Sequence, residues 1–246
     1  MLFYLTFFPT VVSGPITRFN DLFSQINNKK ITSQNLQVGL GRFIIGLFKK
    51  LILANTLATL ANYAFDSVAT SQQISTLGLW LGSFAYTMQL YFDFSGYSDM
   101  AIGVAKILGF NLQKNFEHPY IAVNIQDFWK RWHISLSRWF RDYVYFPLGG
   151  SRVSPIRHIL NLLCVWCFTG IWHGANWTFV IWGLLYFVLL VFEKYCGKVA
   201  AFLSKGMIGH IYTLFFVNLL WVFFRAPSVG CAFRYIGGMF GYTSYN

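Results

Sequence analysis

Acidic residues are scarce in this chain. Eight Asp and Glu stand against nineteen Lys and Arg, and charged side chains make up only 11% of the 246 residues. A soluble domain carries about 25% charged residues, so a globule of this composition lacks the means to cover its surface in water. Disorder is excluded as well, because disordered chains are poor in aromatics and this one is 20% Phe, Trp and Tyr. Cysteine is also sparse. Four are too few for a disulfide framework, and Cys164 and Cys167, although spaced as CxxC, lie inside an apolar run with no second pair. Met1 leads directly into LFYLTFF with no basic stretch, and Pro9 interrupts it, which does not fit a secretory leader. Hydrophobic residues reach 56%, and an integral membrane protein is what remains.

The net charge of +11 raises the question of nucleic acid. The basic residues, however, flank apolar runs instead of forming one stripe, as in the cytoplasmic loops of membrane proteins, and no nucleic-acid partner is expected. Ile159–Phe192 holds 34 residues without Asp, Glu, Lys or Arg. As one helix it would run about 51 Å, too long for a hydrocarbon core of about 30 Å. It must break, and Gly170 and His173-Gly174-Ala175-Asn176 supply the break. The expectation is two membrane segments, 157–173 and 176–196. Further apolar stretches are 2–12, 39–65, 77–92, 100–110 and 206–224. Met100–Phe110 reads as a separate short helix capped by Ser98 or Asp99. The stretch around Lys49-Lys50 reads as interfacial, with both Lys snorkelling.

The least membrane-like part is Lys114–Arg157, with seven basic residues and three acids, which assigns this side to the cytoplasm. Gln126–Phe146 reads as one amphipathic helix. Its aromatic residues fall within about 120° of arc and its charges opposite, with His133 on the seam.

Few side chains are equipped for chemistry. No Ser or Cys sits in a nucleophile elbow and no His/Cys/Glu set has metal-ligand spacing. His173 is the single imidazole of the long uncharged stretch, beside the glycine where the helix must break. Ionisable groups at membrane depth are functional by default, against the alternative of a structural His bonded to a carbonyl. His133 has a weaker case, an ordinary seam residue being at least as good a reading. Asp93 and Asp99 are six apart and point to different helix faces, which suits capping and hydrogen bonding. Pro147–Arg152 suits a tight turn better than a phosphate cradle. A neutral His facing a cavity is the minimum equipment for taking a proton from a hydroxyl, and acyl transfer to an alcohol needs little more.

The segments SGPITRFNDL (13–22), GLFKKLILAN (46–55), QLYFDFSGYSDMAIGVAKILGF (89–110), NFEHPYIAVNIQDFWKRWHISLSRWFRDYVYFPLGGSR (115–152), FTGIWHGANWTFVIWGL (168–184) and WVFFRAP (221–227) together resemble the membrane-bound O-acyltransferases. The likeness is greatest to their bacterial alginate O-acetyltransferase branch. It implies an all-α, polytopic bundle of transmembrane helices with interfacial and re-entrant helices, 1–246 forming a single membrane-embedded unit. Members are usually about twice as long, so this unit is expected to be a core incomplete at both ends. The resemblance also implies that His173, in WHG, is the catalytic residue and that His133 occupies the second signature position. Trp129, Trp132, Arg131 and Asn176 are then the substrate-binding candidates, and Arg131, Arg138 and Arg141 are placed to attract a phosphorylated donor, although positive-inside orientation explains these three without any ligand. No bound cofactor or metal is implied; acetyl-CoA is the expected co-substrate. The expected partners are the bilayer, the acyl donor, and a polysaccharide or an export-side acetylation protein, at a bacterial inner membrane. Two alternatives stay open: D-alanyl transfer toward teichoic acid, and a non-catalytic or inactive truncated membrane protein.

Overall fold

The computed structural model describes residues 2–27 and 29–242, and every regular element among them is helical. Three short helices lead in: α1 (Leu2–Leu5), α2 (Phe8–Val11) and α3 (Phe19–Ile26). α4 (Ser33–Phe48), a π-helical turn (Lys49–Ala54) and α5 (Asn55–Ala69) then run on without interruption, followed by the 32-residue α6 (Thr76–Ile107). A connector leads to α7 (Ile125–Arg131), α8 (Ile134–Phe140) and a second π-helical turn (Arg141–Tyr145). The chain closes with α9 (Pro155–His173), α10 (Trp177–Tyr195), α11 (Gly197–Leu203), α12 (Gly206–Arg225) and α13 (Val229–Met239). Short polar side chains start the longer helices. Thr32, Ser75, Asn124, Asn176 and Ser228 each accept a first-turn N–H, and Pro155 opens α9 where no N–H is missed.

The run Ser33–Ala69, α10 and α12 are long and apolar enough to cross a bilayer. α9 and α10 fall on the two segments expected around the break, and α12 on the stretch expected at 206–224. α9 itself does not reach the same apolarity, because Arg157, His158 and Asn161 occupy its first turns.

Three expectations are corrected. Met100–Phe110 is not a separate helix but the last part of α6, and Ser98 and Asp99 lie inside that helix instead of capping it. The two Lys do not snorkel. Lys49 Nζ lies 2.6 Å from Asp99 Oδ2, Arg42 adds a bond of 2.8 Å to Oδ1, and Lys50 pairs with Asp93. Opposite charges inside apolar helices attract one another because the surroundings offer no water, and this pairing lets α6 carry both carboxylates without a break. Gln126–Phe146 is not one helix: it breaks at Trp132-His133, where His133 adopts the left-handed conformation at φ 45°.

α6 is the axis of the bundle. α4 runs antiparallel along it, and the two meet at paired glycines. A methyl added at Gly39 would lie 2.6 Å from the Gly103 carbonyl oxygen, and one at Gly46 would lie 2.5 Å from that of Gly96. Small residues bring membrane helices to backbone contact where no hydrophobic drive separates lipid from protein. On its other side α6 is joined to α12 by a buried chain in which Thr87 donates to Asn218 (2.7 Å) and Asn218 to Ser83 (3.0 Å). Between α6, α7, α9, α10 and α12 lies a core of large rings that includes Phe128, Trp132, Trp166, Trp182, Tyr186 and Trp221.

Candidate active site

The break between α9 and α10 sets His173 in place. Gly174 has φ 152°, and a methyl there would press into the Phe179 ring at 2.9 Å, so the turn needs glycine. The Asn176 side-chain oxygen accepts from the Thr178 N–H (3.1 Å) to start α10, while its Nδ2 donates to the Pro227 carbonyl (3.1 Å) just past α12. His173 is thereby held as the last residue of α9. Rings surround it: Trp172, Phe224 and Trp182 have centroids 4.9, 5.0 and 5.1 Å from the imidazole. His133, His158 and His210 form hydrogen bonds through their rings, whereas no described residue bonds a ring nitrogen of His173.

His133 is presented by a different device. The Glu193 carboxylate, on α10, accepts from the N–H groups of Ile125 (2.6 Å) and Gln126 (3.0 Å), pinning the start of α7. The helix ends at Arg131, and the left-handed residue that follows turns the His133 ring inward, where it is 6% exposed. Phe94 packs on it at 4.7 Å and Nδ1 lies 3.2 Å from the Asn115 side-chain oxygen. Burial, with His173 nearby, pulls its pKa down to about 3, because desolvation disfavours the charged imidazolium. The ring is neutral at any physiological pH.

Both imidazoles line one cavity of about 630 Å³, in which Trp172 neighbours each. Trp129 and Trp132 line it too. Arg131 and Asn176 do not: Arg131 pairs with Asp127 at 2.9 Å and reaches the Glu117 carbonyl, and Asn176 is occupied as a helix cap. The cavity also holds side chains that sequence reasoning missed, among them Lys50, Asp93, Tyr97, Trp182 and Trp221, together with the N-terminal stretch 10–14. Lys50 and Asp93 had a signal, since two opposite charges in separate apolar runs call for each other. The N-terminal stretch had none.

A second cavity of about 700 Å³ lies against the other side of α7 and α8, with Trp129 and Leu136 lining both. Its walls carry Lys130, Arg138, Arg141 and Lys194, and His158 is clamped there between the hydroxyls of Tyr145 (2.9 Å) and Tyr195 (2.8 Å). Among the described residues no three His, Cys, Asp or Glu side chains gather as a metal site.

The profile of the MBOAT, membrane-bound O-acyltransferase family, matches residues 1–233. The chain is 43% identical over 244 residues to a peptidoglycan O-acetyltransferase of Helicobacter pylori, covering 97% of this chain and 46% of that protein. It is 42% identical to a probable alginate O-acetylase AlgI of Pseudomonas aeruginosa, over 98% of this chain and 46% of that protein. A teichoic acid D-alanyltransferase of Bacillus subtilis is 35% identical, over 80% and 53%. The chain thus spans about half the length of the curated relatives it matches. With that match over nearly its whole length, and with two imidazoles on one cavity of a helical membrane bundle, the chain belongs to the membrane-bound O-acyltransferase family.

Proposed function

We propose that this chain forms the catalytic core of a multi-pass O-acyltransferase of a bacterial inner membrane. It moves an acetyl group from acetyl-CoA to a hydroxyl of an exported polysaccharide such as alginate, or to an export-side carrier. One observation carries this reading: residues 133 and 173, on different elements, put two imidazoles on the wall of the same cavity. His173 takes the proton of the acceptor hydroxyl as the oxygen forms its bond to the acyl carbon. The carbon–sulfur bond then breaks, and the thiolate leaves and recovers a proton, so that ester and free thiol are the products. A positioned base of this kind accounts for about 10²–10⁴-fold of rate. His133, Trp129 and Trp132 orient the acyl group and the acceptor. The indole N–H groups of Trp129 and Trp182 are buried without a partner among the described residues. The second cavity, with its four cations, suits the phosphates of the donor, and Trp129 forms part of the wall between donor and acceptor spaces.

His173→Ala in cells making an acetylated exopolysaccharide tests this. The ester content is expected to fall to background with the protein still in the membrane, and normal ester content at equal expression overturns the role of His173. A second reading, D-alanyl transfer toward teichoic acid, is favoured by the 35% identity to the Bacillus subtilis enzyme. Analysis of the modified envelope polymer separates the two, acetate ester against alanyl ester. The third, an inactive piece of a longer enzyme, predicts that no ester forms until the missing portions are supplied.

A further inference from the structure

His133 is neutral, and a neutral imidazole is useful only in the right tautomer. The free ring prefers the hydrogen on Nε2 only weakly, so its neighbours decide which nitrogen keeps the proton. The neighbour here is Asn115, 1% exposed, whose side-chain oxygen lies 3.1 Å from the Ser135 backbone nitrogen, 2.9 Å from Ser135 Oγ and 3.2 Å from His133 Nδ1. A backbone N–H can only donate. The amide atom facing it must therefore be the oxygen, and the Asn115 NH2 points the other way, to Ser98 Oγ at 3.3 Å. The oxygen in turn can only accept. Nδ1 of His133 therefore carries the hydrogen, and Nε2 keeps its lone pair. Ser135 Oγ itself accepts from the Ile16 N–H (3.0 Å), so its proton is free to go to Asn115, which agrees with the same assignment.

We propose that Asn115 is the positioning residue that locks His133 as the Nδ1–H tautomer, so that the ring nitrogen left for the cavity is a hydrogen-bond acceptor. With Nδ1 tied to the wall and His133 lining the cavity, Nε2 is left to accept from a second, non-reacting hydroxyl of the acceptor, so that the reacting hydroxyl keeps its proton for His173. This role in turnover rests on the acyltransfer reading, whereas the tautomer itself does not. The chain of contacts also joins the site to the N-terminal segment, since Ile16 is on the same cavity wall as His133. The charged and titratable groups around the ring are His173, Lys50, Asp93 and Tyr97 on the cavity side. Behind Asn115 stand Asp99, bonded to Arg42 and Lys49, and Glu117, bonded to Lys114 with His118 beside it. Each of these carboxylates already has a cation, so none competes with Asn115 for the Nδ1 proton.

Two measurements on the full chain in lipid nanodiscs or membranes test this. The first is nitrogen-15 NMR of histidine-labelled protein, with the His133 signals identified by their loss in His133→Gln. The expected result is a protonated Nδ1 and a bare Nε2 at neutral pH; a protonated Nε2 in the wild-type protein overturns the assignment whether or not the chain turns over. The second is release of free thiol from acetyl-CoA, followed across pH. Asn115→Leu removes the acceptor and is expected to lower the rate on the order of 10²-fold at every pH. Asn115→Asp keeps shape and acceptor but puts a carboxylate against Nδ1, which favours the imidazolium. Its rate is expected to recover only at higher pH, with the acidic limb moved up by about one unit or more. A merely structural Asn115 would leave that limb where it is, and an unshifted Asn115→Asp profile overturns the positioning role. A wild-type chain with the expected tautomer that releases no thiol counts against the acyltransfer reading and for the tautomer assignment.

Discussion

A histidine buried as the neutral ring ties stability to pH in a calculable direction. His133 has its pKa pulled from 6.5 to about 3 by burial, with a further push from His173. Below about pH 6.5 the unfolded chain binds a proton at this ring that the folded chain refuses. Stability from this group is thus complete above that pH and falls as pH drops toward about 3, by about 1.4 kcal/mol per unit. Between about pH 7.5 and 5.5 the wild-type protein is expected to lose roughly 1.4 kcal/mol more than His133→Gln, measurable as denaturant midpoints in detergent. Equal losses would mean that the ring is solvated and titrates normally. At this scale His173 was legible in the sequence, because it is the sole imidazole of a long uncharged run and sits on a glycine. Asn115 was not. It is one polar residue in a polar connector, and its value lies in a contact across 18 positions that neither period nor motif reveals.

Among elements, the α4–α6 contact offers a sharper comparison, because two glycines on one helix should respond oppositely. Gly41 and Gly46 both lie inside α4, and alanine at either relieves the entropic weakness of a helical glycine by about 0.5–1 kcal/mol. A methyl at Gly41 meets nothing within 4 Å, whereas one at Gly46 comes 2.5 Å from the Gly96 carbonyl. Gly41→Ala is expected to stabilise by about that amount, and Gly46→Ala to destabilise by about 1–3 kcal/mol through overpacking. Unfolding in mixed micelles decides it, and a shift of equal sign in both variants would separate α4 from α6. Two of the three elements long and apolar enough to span were legible because hydrophobic length is a strong signal: α10 and α12 lie within a residue or two of their expected limits. What misled the reading was charge. Lys49, Lys50, Asp93 and Asp99 each look like an end or an interface when seen alone, and only their pairing across two helices explains why both continue. The break at His133 was equally hidden, because an unbroken amphipathic pattern runs through a residue whose backbone has turned left-handed.

For the molecule as a whole, the helical path and the charge distribution make one joint statement about sidedness. The basic stretch 114–157 precedes α9, and Tyr195 at the end of α10 returns to it, its hydroxyl bonded to His158 at 2.8 Å. The α9–α10 break lies at the opposite end, tied by Asn176 to Pro227 after α12. Cys196, which is exposed, therefore belongs to the basic side, and Cys231 lies across one spanning helix on the other. The positive-inside bias predicts the first to be cytoplasmic and the second external. Burial raises the Cys231 pKa, but hydrogen bonds to Ser228 and Arg234, with the Arg234 charge, outweigh this and lower it. In variants keeping one cysteine, a membrane-impermeant maleimide is expected to label Cys231 in intact spheroplasts and Cys196 only in inverted vesicles. Labelling of both from one side would remove α12 as a crossing and with it the separation of the basic side from the end where His173 sits. The opposite pattern would keep the crossing and invert the molecule, placing the four cations of the second cavity on the external side.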